Sequence, residues 1–127
     1  MKTMFKHLTI ALVLATITAT PALCVETIEG TIEGASCVIN NMNCAENIDD
    51  PILALERDFI LVTADGEYYF MPNLRRSDKK HAFKEQVRVS GKRNGAALLV
   101  ENFEVLKDNR FDCVWNYTEE RKDLDGH

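Results

Sequence analysis

Apolar and polar residues alternate along two stretches of the chain. In TIEGTIEG, Thr27 to Gly34, isoleucine and glycine occupy every second position, and threonine and glutamate lie between them. A period of two with one polar face is typical of a half-buried strand, and glycine within a strand permits a bend or a close backbone approach. In the second stretch, residues 87–91, Val87, Val89 and Gly91 alternate with Arg88 and Ser90. This pattern predicts that Val89 faces the core while Arg88 and Ser90 face outward.

Two dipeptides that favour tight turns each lie between strand-forming runs. Asp65-Gly66 separates residues 59–63 from residues 67–71, and Asn94-Gly95 precedes a long run over residues 97–106. Asp-Gly and Asn-Gly are strong hairpin signals because both central residues of the favoured turn need positive φ. The pattern therefore predicts two β-hairpins.

Two other segments have weaker signals. Asp50-Pro51 suits the cap and first residue of a short helical turn. Ser77 suits the N-cap of a short helix with Ala82 and Phe83 on its inward face.

Near the C-terminus, aromatic residues and a cysteine alternate with more polar residues. Phe111, Cys113, Trp115 and Tyr117 would share one strand face. A face this apolar should lie on the domain and bury Cys113. The charged residues 119–127 lack a period and are expected to form a flexible tail.

The order of these elements predicts a mainly β domain over residues 25–118. A strand, a hairpin, a short helix and a second hairpin make a five-stranded OB-like barrel with the helix between strands 3 and 4, here with an extra C-terminal strand. The stretches IEGTIEG, DGEYYF and VRVSGKRNGAALLVENFEVL resemble the bacterial periplasmic OB-fold family over residues 26–106. The resemblance implies an envelope location, a binding role and no catalytic residues to transfer.

The N-terminus has the layout of a secretory signal peptide over residues 1–24. Lys2 and Lys6 precede an uncharged apolar run from Leu8 to Ala19, which is too short for a membrane span. The sequence therefore predicts export to the periplasm, where disulfides persist, and no membrane-spanning segment.

Two cleavage sites fit this leader. Cleavage after Ala22 leaves Cys24 in the mature chain, whereas cleavage after Cys24 removes it. Lipid attachment at Cys24 is the less favoured alternative, because Leu23 stands where a lipoprotein signal usually has a small residue.

The mature chain is acidic, with a basic segment. Removing Lys2 and Lys6 from 15 basic residues leaves 13 against 20 acidic ones, a net charge of −7. This balance argues against nucleic acid as a partner. Residues 75–93 carry eight basic and two acidic residues. They form either a solvated helix face or a patch for anionic lipid or polysaccharide, with five candidate residues: Arg75, Arg76, Lys79, Lys80 and Lys84.

The cysteines allow more than one arrangement. Cys37 and Cys44 flank an Asn-rich segment, predicted to be a loop, and a Cys37–Cys44 disulfide is favoured because the six-residue spacer turns easily. A bridge from either residue to Cys113 stays open, as does a Cys24–Cys113 bridge if Cys24 is retained. Met42 with the two thiols also resembles a soft-metal site for Cu(I), although the spacing does not fit zinc.

Aromatic residues of the first hairpin are candidates for a ligand face. Tyr68 and Phe70 share one strand face, and Tyr69 and Met71 share the other, so one pair should be buried. We take Tyr68, Tyr69 and Phe70 as the candidate residues.

No residue set indicates catalysis, a catalytic metal or a cofactor. The preferred interpretation is a non-enzymatic exported module that binds an envelope ligand or protein of unknown identity. One alternative is an adaptor that contacts anionic envelope lipid or polysaccharide through residues 75–93. The other is a copper binder through Cys37, Met42 and Cys44.

Overall fold

The computed structural model describes residues 24–126, so the predicted leader lies outside the described residues except for Cys24. Within this range the chain forms six strands, three α-helices and a 3₁₀ helix over Pro51–Leu55. In chain order the strands and α-helices are β1 (Val25–Gly34), α1 (Ala35–Asn40), β2 (Phe59–Val62), β3 (Tyr68–Tyr69), α2 (Arg76–His81), β4 (Gln86–Asn94), β5 (Ala97–Lys107), β6 (Arg110–Asn116) and α3 (Tyr117–Asp125).

The strands form one antiparallel sheet in the order β3-β2-β1-β4-β5-β6. The mainly β class, the helix between the third and fourth strands and the additional C-terminal strand are therefore confirmed. β1 is central and pairs with β2 through its C-terminal half and with β4 through most of its length. Gly30 and Gly34 lie where another chain segment approaches too closely for a Cβ atom.

The sheet does not close into the predicted barrel. Among the described residues, β3 does not pair with β5, and an isolated parallel bridge joins Phe70, just after β3, to Ala97 at the start of β5. The Phe70 amide donates to Ala96 O and Phe70 O accepts from the Leu98 amide, both at 2.7 Å. Beyond the bridge, the side-chain amide of Asn73 takes the place of a paired backbone: it donates to Val100 O at 2.7 Å and accepts from Val100 N at 2.9 Å.

The core lies on one face of the sheet and is covered by α2 and the segments around it. Val89 is fully buried, while Arg88 and Ser90 are half-buried on the opposite face. Ala82 and Phe83 are buried as expected, just after α2 ends. The large buried side chains include Ile32, Phe59, Leu61, Met71, Leu98 and Phe103.

Both predicted hairpins are present, but their turns differ from the expected type. Asp65 has negative φ and only Gly66 has positive φ (86°), because the β2–β3 loop is longer than two residues. In the second turn Gly95 alone has positive φ (61°), as in a type II′ turn. A third hairpin, β5–β6, turns through Asp108 and Asn109, both with positive φ.

The helices differ more from expectation. The cysteine segment is not wholly a loop, because α1 contains Cys37 and ends with Asn41 in the left-handed conformation. Asp50 caps the 3₁₀ helix as predicted, accepting from Ile52 N at 3.1 Å. α2 begins at Arg76, so Ser77 lies inside it and does not cap it. Residues predicted as a flexible tail continue α3, which has no buried residue.

Cys113 is exposed, contrary to the expectation that it is buried. Phe103 pairs with Trp115 and Glu104 with Cys113, so Val114 is an extra residue in a β-bulge. A bulge resets the alternation of side chains, which is why Trp115 is buried and Cys113 is not. The Cys113 thiol donates to Asn102 Oδ1 at 2.9 Å.

Candidate functional site

The tips of the first two hairpins border an open, shallow depression of about 370 Å³, here called the hairpin groove. It is lined by Gly66, Glu67, Tyr68, Tyr69, Arg93, Gly95 and Ala96. The two glycines occupy turn positions with positive φ and carry no side chain into the space. The groove lies beside the Phe70–Ala97 bridge, between the turn that precedes β3 and the turn that precedes β5.

A chain of polar contacts fixes the wall of the hairpin groove. Arg93 Nη1 donates to the Tyr69 hydroxyl at 3.2 Å, and that hydroxyl donates to Glu67 Oε2 at 2.9 Å. On its other side, Arg93 Nε lies 3.4 Å from Glu26 Oε2. The Tyr69 hydroxyl, and next the Glu26 carboxylate, raise the pKa of Arg93 above its usual value. Arg93 on β4 therefore contacts side chains of both β1 and β3, in a network that is open to solvent.

The three aromatic candidates divide between core and surface. Tyr69 is buried beneath Arg93, whose guanidinium carbon lies 5.9 Å from the ring centroid. Tyr68 is 37% exposed, and its ring meets the half-buried Phe70 ring edge to face at 6.0 Å. The expectation that one pair is buried is confirmed by Tyr69 and Met71. Tyr68 is therefore the most exposed of the three aromatic candidates.

The five basic candidates do not form one exposed surface. Lys79 is only 3% exposed and forms an ion pair with Asp58. Arg76 lies over the Phe59 ring and donates to the carbonyl of Glu56 at 2.7 Å.

The other three basic candidates lie at or near the surface. Arg75 pairs with Asp78 at 3.2 Å, and Lys84 pairs with Glu33 at 2.7 Å. Lys80 is half-buried. Two of the five therefore hold α2 on the domain, and two more are paired with carboxylates.

The cysteine segment is anchored by a disulfide and by a buried carboxylate, both near the start of α1. A disulfide joins Cys37 to Cys44, as favoured from the sequence. Glu56, which is 2% exposed, accepts from the backbone amides of Ser36 at 2.9 Å and Cys37 at 3.0 Å. A carboxylate from twenty residues away thus satisfies two amides of the first turn, which no side chain of α1 caps.

With Cys37 and Cys44 joined, neither sulfur is a thiolate, so this loop presents no thiolate pair to a soft metal ion. No group of three or more His, Cys, Asp or Glu among residues 24–126 is placed to hold a metal ion. In the same range, no helix is long and apolar enough to cross a membrane.

Two other clefts have similar volumes. One, of about 310 Å³, lies beside Leu99 and Tyr117, and the other, of about 330 Å³, lies beside His81 and Val114. The first cleft is also lined by Asn73 and Val100, which exchange two hydrogen bonds. Of the three depressions, only the hairpin groove has, among the contacts of the described residues, a chain of side-chain contacts that joins three strands, through Glu26, Arg93 and Tyr69. The hairpin groove is therefore the strongest candidate site.

Sequence reasoning found Tyr68 and Tyr69 but missed the charged members of the site. Arg93 was grouped with the basic segment, and Glu26 precedes the first repeat. The strand register supplies the missing signal, because Glu26 pairs with Gly91 on the strand that carries Arg93.

Comparison of the chain with protein-family models, curated proteins and solved structures finds no match. The fold and the hairpin groove are therefore the basis for a functional proposal.

Proposed function

We propose that this chain is an exported, non-enzymatic binding module of the bacterial envelope, with an OB-like arrangement of strands and its ligand held in the hairpin groove. The proposal of export rests on the leader pattern of residues 1–24. The OB-like proposal rests on the strand order and on the parallel contact of Phe70 with Ala97, which is where such a barrel would close.

The observation that carries the binding proposal is the contact chain of Glu26, Arg93, Tyr69 and Glu67. Its four side chains come from β1, β4, β3 and the loop before β3, and they form one continuous chain of contacts. Binding to a pre-organised site loses less side-chain entropy than binding to mobile side chains. A concave site with an exposed aromatic ring and a few fixed polar groups is typical of a ligand site.

The two rival functions receive less support. The adaptor hypothesis needs free basic side chains, whereas Lys79 and Arg76 are committed to the interior. The copper hypothesis needs thiolates at residues 37 and 44, and those sulfurs form a disulfide.

The test is a binding screen of the purified protein against immobilised envelope glycans, lipids and peptides. Hits are then measured with Tyr68→Ala and Arg93→Ala, and with Tyr117→Ala as a matched control on α3. We expect binding that both groove substitutions weaken at least tenfold and the control leaves unchanged. Hits that depend on Tyr117, or on neither groove residue, would contradict the proposed site.

A further inference from the structure

The segment closed by the Cys37–Cys44 disulfide binds the buried carboxylate of Glu56. We propose that this disulfide is a redox latch. A protein dithiol opens it by attack at Cys44, and residues 36–44 then change from an ordered helix and turn into a mobile loop that releases Glu56. The inference goes beyond the proposed function and does not depend on the ligand of the hairpin groove.

α1 depends on contacts from outside the helix. It spans six residues, has no side-chain cap and contains no buried residue. A helix this short is unstable by itself in water, so its order comes from the rest of the domain. The amides of Ser36 and Cys37 donate to the Glu56 carboxylate at 2.9 and 3.0 Å. The disulfide closes the remainder of the segment, residues 38–44, onto this first turn.

The residues inside the disulfide ring add little order of their own. Asn41 and Asn43 have positive φ, 54° and 58°, which non-glycine residues adopt where the surrounding structure imposes it. Ile39 is 45% exposed and Met42 is 60% exposed, so neither side chain packs in the core. When the ring opens, both asparagines can return to the usual backbone regions, and no buried side chain within residues 36–44 opposes the change.

The two sulfurs of the latch differ in access. Cys44 is exposed, whereas Cys37 is half-buried and its amide donates to Glu56 Oε1. A disulfide is reduced by attack of a thiolate on one of its sulfurs, and a nearby carboxylate repels that thiolate. Attack should therefore fall on Cys44 Sγ. The first thiolate of the dithiol forms a mixed disulfide with Cys44, and the electron pair of the broken S–S bond goes to Cys37, which takes up a proton.

The second thiol of the partner completes the exchange. It loses its proton and attacks the partner's own sulfur in the mixed disulfide, so the partner closes a disulfide and Cys44 leaves as a thiolate that is then protonated. Two electrons pass from the dithiol to the protein, and no other reactant is needed.

Release of α1 changes the surroundings of Glu56. Its carboxylate is 2% exposed, accepts from the two α1 amides and forms no ion pair with another described residue. The space between it and Gly34, Ala45 and Leu53 has no room for a water molecule. A buried carboxylate that loses its donors must gain water instead. The closed latch therefore hides Glu56, and the open latch presents it to solvent.

The first experiment follows amide exchange in the full purified protein, in native buffer, before and after addition of dithiothreitol. We expect reduction to speed exchange many-fold at Ser36 and Cys37 and to leave β4 unchanged. Cys37→Ser/Cys44→Ser is the matched control, because it lacks the latch but keeps the other two cysteines. Dithiothreitol should not change exchange in this variant.

The second experiment observes the side-chain carboxyl of Glu56 by NMR under the same two conditions. Its signal should shift when the latch is reduced, because water replaces the two amides. The carboxyl of Glu104, which pairs with Arg88 on the sheet, is the internal control and should not shift.

The third experiment identifies the attacked sulfur. The protein is mixed briefly with reduced glutathione, quenched with acid and mapped by peptide mass spectrometry. We expect glutathione mainly on Cys44, with Cys37 as the released thiol.

Three results would overturn the latch. One is no reduction in native buffer, or reduction only with global unfolding, seen as equal acceleration of exchange in α1 and β4. The second is reduced protein in which the Ser36 and Cys37 amides and the Glu56 carboxyl are unchanged. The third is glutathione mainly on Cys37. None of these results bears on the hairpin groove, which the ligand screen tests separately.

Discussion

The two ends of β1 are held by polar groups in opposite ways. At its C-terminal end, Gly34 packs against the buried carboxylate of Glu56, which binds two amides of α1. At its N-terminal end, Glu26 contacts Arg93 in a network open to solvent. The Glu56 network is buried and should contribute most to stability. The Glu26–Arg93 network is exposed, so its side chains can exchange partners.

Burial explains why two carboxylates should contribute so differently to the stability of the folded protein. A buried donor that loses its acceptor has no water to replace it, so removing the acceptor is costly. An exposed ion pair exchanges readily with water and salt and contributes little. The comparison therefore predicts that removing Glu56 lowers stability far more than removing Glu26.

The largest expected effect follows from Glu56→Ala. Two half-buried amides lose their acceptor at roughly 1–2 kcal/mol each, so the free energy of unfolding should fall by about 2–4 kcal/mol. Urea unfolding measures this change. Glu26→Ala at the open end is the control and should change the unfolding midpoint little; equal losses for the two variants would contradict the contrast between the ends.

Removing the disulfide should have the next largest effect. Cys37 and Cys44 are seven residues apart, and a loop of this length corresponds to about 2–3 kcal/mol of stability on the chain-entropy model. In Cys37→Ser/Cys44→Ser, amide exchange should rise most at Ser36 and its neighbours in α1 and little in β4. A uniform rise across both elements would show that the bridge does not act locally.

Gly34→Ala tests the close packing at the sealed end. An added Cβ would lie 2.5 Å from the Glu56 carboxyl, so the substitution should cost about 1–3 kcal/mol by overpacking. In a Glu56→Ala background the obstacle is removed and the cost should shrink. Strictly additive losses in a double-mutant cycle would argue against this contact.

The smallest effect is expected from Thr63→Val, in the exposed loop between β2 and β3. The Thr63 hydroxyl lowers the pKa of Asp65 below its usual 3.8, so its loss should raise that pKa, as measured by NMR titration. A carboxyl with a lowered folded-state pKa adds stability above its unfolded pKa and loses it as pH falls through the folded value. The variant should therefore lose less stability between about pH 4 and pH 2 than the native protein. An unchanged Asp65 titration would refute the assignment.

Local patterns predicted the sheet better than they predicted the groups that hold its ends. The alternation of apolar and polar residues was enough to predict that Val89 is buried, because side chains of a half-buried strand face one of only two sides. It did not reveal that Arg88 would lie 2.6 Å from Glu104 and over the ring of Phe111. Turn dipeptides located two hairpins, but Asp108-Asn109, a pair that also tolerates positive φ, was overlooked.

The missed features depend on residues far apart in the chain. α1 has no side-chain cap of its own, and its amides bind Glu56, so an Asn-rich segment with two cysteines resembled a loop. Lys79 is buried because Asp58 lies opposite it, which helix periodicity cannot reveal. The bulge at Val114 arises from the pairing of β5 with β6 and has no signature in β6 alone.

The central position of β1 has a consequence for the order of folding. β1 is the first strand in the chain, yet its long pairing is with β4, and Thr27 contacts Ser90 across 63 positions. Contacts between such distant residues form slowly, because the intervening chain must lose entropy before they are made. The β4–β5 hairpin, whose strands are joined by a short turn, can form without β1. We therefore expect β1 to be incorporated late, completing the sheet and the wall of the groove in one step.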